Sequence, residues 1–176
     1  MIYEFCAENV TLLEKAMQAG ARRIELCDNL AVGGTTPSYG VTKAAVELAA
    51  NYDTTIMTMI RPRGGDFVYN DLEIAIMLED IRLAAQAGSQ GVVFGGLTAD
   101  KKLDKPNLEK LITASKGMEI VFHMAFDELS DEDQLEAIDW LSQAGVTRIL
   151  TRAGVSGDSL EKRFAHYHRI LEHAKG

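Results

Sequence analysis

Cysteine is scarce in this chain, with only Cys6 and Cys27 in 176 residues. That excludes a disulfide-built scaffold. Both lie in strand-like runs where small buried thiols are common, so reduced thiols are expected. Basic charge is also short. Lys and Arg number 18 against 26 Asp and Glu, a formal charge of −8, so no broad positive field attracts phosphate backbones. Neither nucleic acid nor an anionic membrane is expected as a partner, although local basic clusters remain able to bind small anions. No stretch approaches the roughly 20 apolar residues of a membrane span. The N-terminus carries Glu4 instead of a basic then apolar signal segment, and a cytoplasmic protein is expected. No low-complexity segment or linker divides the chain, so residues 1–176 read as a single domain able to bury one core.

What the chain does contain is a repeat. Gln18-Ala19-Gly20, Gln86-Ala87-Gly88 and Gln143-Ala144-Gly145 each end a helix-like stretch and lead, three residues later, into an apolar run. Glycine at a helix end takes up a positive φ at little cost, so each copy reads as a helix stop before a strand start. The spacing leaves room for one further strand and helix in each interval. Strands are expected at 2–6, 23–27, 55–60, 91–94, 119–123 and 148–151. Helices are expected to open at Asn9, at about Thr42, at the capping pair Asn70 and Glu73, at Pro106, at Ser130 and at the pair Asp158 and Glu161. The third is expected to carry Leu72, Ile76 and Leu83, and the last to be amphipathic through Leu160, Phe164, Tyr167 and Leu171 and to end at Gly176. Six β/α units in series predict a parallel sheet. Polar residues near successive strand ends (Glu25, Arg61, His123, Thr151) favour a TIM-like barrel over an open doubly wound sheet. Ala7-Glu8-Asn9 also offers no dinucleotide fingerprint.

Several residues at these strand ends can carry chemistry. Glu-x-Cys occurs twice, as Glu4-Phe5-Cys6 and Glu25-Leu26-Cys27, on strands expected to be neighbours. Alternation puts each pair on one face, where Cys6 and Cys27 either fill core or bind a soft metal such as Cu(I). Met57 and Met59 share a face of the third strand and are read as packing, or as soft ligands beside the thiols. In Ile60-Arg61-Pro62-Arg63-Gly64-Gly65-Asp66-Phe67, Arg61 and Arg63 either clamp a small anion or pair with acids around the rim. His123, with Asp127 four residues on, is read as an acid–base couple, a metal ligand or a hydrogen-bonded structural residue, and Glu25 is a further candidate base. His166, His168 and His173 are expected to face solvent on the last helix.

Together these stretches, with Gly33-Gly34-Thr35-Thr36-Pro37-Ser38, Met77-Leu78-Glu79-Asp80-Ile81, Gly91-Val92-Val93-Phe94-Gly95, Phe122 to Asp127 and Arg148-Ile149-Leu150-Thr151, resemble the CutC copper homeostasis family over nearly the whole chain. The resemblance implies a TIM-like barrel, a cytoplasmic location and a role in copper handling, with a copper ion as ligand. Two local departures stand out. Met124 follows the strand-five histidine where the family usually has arginine, and Thr151-Arg152-Ala153-Gly154 replaces a glycine-rich turn. A complete barrel would also add two strands, so an incomplete barrel lacking strands seven and eight is expected. Its exposed edges should be covered by self-association into a homodimer or higher homo-oligomer. Alternative readings are an enzyme acting on a small anionic metabolite, or a barrel without catalytic activity.

Overall fold

A computed structural model of the chain describes residues 1–154 and 157–175. Six strands alternate with six helices: β1 Glu4–Glu8, α1 Leu13–Gln18, β2 Arg23–Cys27, α2 Tyr39–Ala49, β3 Thr55–Met59, α3 Asp71–Ala87, β4 Gly91–Phe94, α4 Lys105–Ala114, β5 Glu119–Phe122, α5 Asp131–Gln143, β6 Arg148–Ile149 and α6 Leu160–Ala174. All pair in parallel in chain order, β1 to β6, which makes a half-barrel. The three repeat glycines perform as expected. Gly20, Gly88 and Gly145 hold φ of 103°, 92° and 92° at the ends of α1, α3 and α5. The capping box of Asn70 and Glu73 forms at α3, Pro106 lies in the first turn of α4, and Ser130 caps α5.

Alternation along the strands sorts side chains into two layers. The convex face meets the helices. Ile24, Leu26 and Ile56 pack with Leu13, Met17 and Ala45, while Val92, Phe94, Ile120 and Phe122 pack with Met77, Ile81 and Leu108. The concave face forms its own small cluster of Cys27, Met57, Met59, Val93 and Val121. Register lines up Cys6, Glu25, Met57, Gly91 and Glu119 as one row across five strands. Gly91 is required there, because a Cβ would lie 2.0 Å from Met57 Cε and 2.7 Å from the Glu119 carbonyl oxygen.

Four local expectations are corrected. Asn9 is not a helix cap. It sits at φ 57° and donates its N–H to the Cys27 carbonyl, extending the β1 side of the ladder, so α1 starts only at Leu13. Strand six stops at Ile149 because the Asp127 carboxylate takes the Thr151 hydroxyl and the Arg152 N–H, drawing the chain out of the ladder. Helix α6 is capped by Ser159 rather than Asp158, and Leu160, Phe164 and Tyr167 lie exposed while Ile170 is its buried residue. In α3 the core-facing stripe is Ile74, Met77, Ile81 and Ala84, leaving Leu72 and Ile76 exposed. Gly176, expected to end the last helix, lies outside the described residues.

Candidate functional site

The two Glu-x-Cys pairs converge. Parallel pairing of β1 and β2 sets Cys6 opposite Glu25 and Glu8 opposite Cys27, so the two thiols sit diagonally on the concave face. Their sulfurs are 4.0 Å apart, and Glu25 Oε1 lies 3.4 Å from Cys6 Sγ and 3.9 Å from Cys27 Sγ. These three are the only group of at least three potential His, Cys, Asp or Glu ligands found close together among the described residues. Cys6 is exposed, whereas Cys27 and Glu25 are buried. The glycine-rich loop after β2 packs on the inner thiol, for a Cβ at Gly34 would meet Cys27 Sγ at 3.0 Å. Met57 and Met59 lie in the same concave cluster as Cys27.

The electrostatics of Glu25 and Cys27 favour their neutral forms. Burial raises the Glu25 carboxyl above its ordinary range, opposed by the Cys6 hydrogen bond. The Cys27 thiol is pushed far up by its contact with Cys6, by burial and by Glu25. Glu25 and Cys27 thus resist carrying negative charge side by side, and a cation is the natural counter-charge. Two metal–sulfur bonds of about 2.3 Å span at most about 4.6 Å, so sulfurs 4.0 Å apart fit one shared ion.

Arg61 and Arg63 have different fates. All five N–H groups of Arg63 are engaged, by Glu73 at 2.5 Å, by Asp66 at 3.0 Å and by the carbonyls of Gly64, Asp66 and Val68. An anion would have to break the loop to reach it, so Arg63 serves the 64–68 turn. Arg61 is buried, and donates to the carbonyls of Val32, Gly34 and Gly65. It makes no ion pair among the described residues, and Phe67 lies 4.9 Å from its guanidinium carbon.

The expected coupling of His123 to Asp127 does not form. A short 3₁₀ turn over Met124–Glu128 carries the carboxylate away, and Asp127 binds Thr151 at 2.5 Å, the Arg152 N–H at 3.0 Å and the Arg152 guanidinium at 3.6 Å. His123 caps that turn, its Nδ1 accepting the Ala125 N–H, and desolvation with the nearby Arg61 charge lowers its pKa to about 3. It is a neutral imidazole and is not one of the groups clustered with the thiols. The last-helix histidines also differ from expectation. His168 is exposed, but His166 meets Gln134 at 2.7 Å and His173 meets Asp139 at 2.9 Å, fastening α6 to α5. Sequence reasoning passed over Tyr69, whose buried hydroxyl lies near Arg61 and whose pKa burial pushes up to about 12.

No helix among the described residues is long and apolar enough to cross a membrane. Comparison with known proteins agrees with the fold. The chain is 52% identical over 174 residues to a CutC family protein of Enterococcus faecalis, covering 99% of this chain and 83% of that one. It is 40% identical over 175 residues to the human copper homeostasis protein cutC homolog, covering 99% of this chain and 62% of the human one. A crystal structure of CutC from Streptococcus agalactiae superposes with a TM-score of 0.95 at 45% identity, over 100% of this chain and 84% of that one. An archaeal fructose-1,6-bisphosphate aldolase, at 16% identity and a TM-score of 0.65, shares the barrel fold alone. The CutC family model itself matches residues 1–175, and the chain belongs to the CutC family.

Proposed function

We propose that this protein binds Cu(I) in the cytoplasm through Cys6 and Cys27, as part of copper homeostasis. The observation that carries the reading is the 4.0 Å separation of the two sulfurs beside the Glu25 carboxyl. Thiolates are soft ligands suited to Cu(I), and the thioethers of Met57 and Met59 are the next soft donors in the same cluster. Cys6, being exposed, receives the ion, and Cys27, under the Gly34 loop, retains it. Both cysteines are free, which suits a reducing compartment. Anaerobic Cu(I) titration against a competing chelator tests the reading with wild type, Cys6→Ser and Cys27→Ser. Loss of affinity in both variants is expected, and three equal affinities would end the proposal.

The half-barrel also favours self-association. The outer edge of β1 carries no strand among the described residues, and Tyr3, Phe5, Leu12 and Ala16 line an apolar groove beside it. A second copy covering this edge accounts for that exposure. Light scattering should report a dimer or larger assembly, and a monomeric mass would rule this out.

A further inference from the structure

Two strand-end residues not used by the thiol site face each other at the mouth of the half-barrel. Register pairs Met59 with Val93 and Val93 with Val121, and the ladder continues past them through the Ile60 N–H to the Val93 carbonyl and the His123 N–H to the Phe94 carbonyl. Two residues further along each strand come Arg61, Gly95 and His123, side by side on the concave face. Gly95 lets the His123 ring lie flat against the sheet, for a Cβ there would stand 2.6 Å from His123 Cε1 and 2.7 Å from Nδ1. Phe67 covers both flanking residues, with its ring 4.9 Å from the Arg61 guanidinium carbon and 4.8 Å from the His123 ring centre.

Each flanking side chain retains a buried nitrogen without a hydrogen-bond partner among the described residues, Arg61 Nε and His123 Nε2. Their protonation follows from chemistry. Arg61 Nε always carries a hydrogen. His123 Nδ1 accepts the Ala125 N–H, so in the neutral ring the hydrogen resides on Nε2. Both orphans are therefore donors. Arg61 is in addition a buried cation set among three carbonyls, the Tyr69 hydroxyl and the Phe67 ring, with Asp66 nearby but no carboxylate in ion-pair range. Buried charges are normally paired, and buried donors are normally satisfied.

We infer that Arg61 and His123 form a binding site for the anionic oxygens of a small molecule, a carboxylate or a phosphate group, received in place of the Phe67 ring that covers both. Such a group accepts from both orphaned donors and neutralises the buried guanidinium in the same step. The site is separate from the thiol group and independent of copper. Phe67, half-buried on the loop tied down by Arg63, is the side chain that must shift for the ligand to enter.

The test uses inorganic phosphate and acetate as probes, read by the side-chain Nε2–H resonance of His123 in nitrogen–proton correlation spectra and by thermal melting. His123→Asn assigns the resonance by its loss, and its amide oxygen can still accept the Ala125 N–H. A saturable shift of the wild-type resonance with phosphate alone, acetate alone or both supports the site and identifies the anion class. His123→Asn should weaken the same binding, read by melting, by about tenfold, with Cu(I) affinity unchanged. Absence of a saturable shift with either probe would overturn the proposal, as would equal affinity in His123→Asn. Should His123→Asn fail to fold, His123→Gln takes its place for the assignment and for the affinity comparison.

Discussion

Cys6 and Cys27 approach to 4.0 Å across the first two strands without being register partners, because Cys6 stands opposite Glu25 and Cys27 opposite Glu8. The diagonal places one carboxyl against both sulfurs. Its ionisation is disfavoured in the folded state by burial, so the folded protein holds this proton more tightly than the unfolded chain does. Stability conferred by a raised carboxyl is present below the unfolded value and lost as pH rises through the folded one. Glu25→Gln should therefore gain about 1 kcal/mol relative to wild type at pH 7.5 and little at pH 4, measured by urea unfolding. An equal effect at both pH values would show that the carboxyl is not strained by its burial.

His123 produces the opposite pH dependence. Its folded pKa is about 3 against an ordinary value near 6.5, so the unfolded chain takes up a proton that the folded protein refuses. Stability is complete above about pH 6.5 and falls as pH drops toward 3, with a slope of up to roughly 1.4 kcal/mol per pH unit from this group. His123→Asn should flatten the curve between pH 6.5 and 5, above the range of ordinary carboxylates. Parallel wild-type and variant curves would contradict the buried, neutral imidazole.

Gly91→Ala is expected to destabilise the sheet by about 2 kcal/mol, through overpacking on the concave face. Met57 can turn aside, but the Glu119 carbonyl, 2.7 Å from the added carbon, belongs to the neighbouring strand. Met57→Ala combined with Gly91→Ala should restore only part of the loss. Complete rescue in denaturant melts would assign the clash to the methionine alone.

Arg63→Ala should act locally. The guanidinium ties together Gly64, Asp66, Val68 and Glu73, so its removal should speed amide exchange over residues 64–69 while the β2–β3 ladder stays protected. Uniform loss of protection would show that the loop is not an independent unit.

Much of the architecture was legible because single residues have one physical use. A glycine after Gln-Ala takes a positive φ, and three such stops at two-unit spacing imply the order of six strands. Glu-x-Cys on neighbouring strands was legible for the same reason, since period-two alternation needs no tertiary information. Arg61 and Arg63 were not separable in sequence. Pro62 divides two like residues, yet one goes under Phe67 and the other to Glu73, a choice made by loops that sequence periodicity does not describe. Asp127 misled because a spacing of four suggests contact with His123, whereas the intervening 3₁₀ turn directs the carboxylate to Thr151. Apolar type alone does not give the faces of α3 and α6, where Leu72 and Phe164 lie exposed while Ile74 and Ile170 are buried.

Strand order equal to chain order also bears on how the molecule is made. Each strand pairs with the one just before it, so no pairing waits for a distant segment to arrive. The entropy of closing long loops is avoided, which keeps contact order moderate for a parallel sheet. During synthesis every newly emerged β/α unit meets a finished neighbour on which to dock, and folding can keep step with elongation from Glu4 onward.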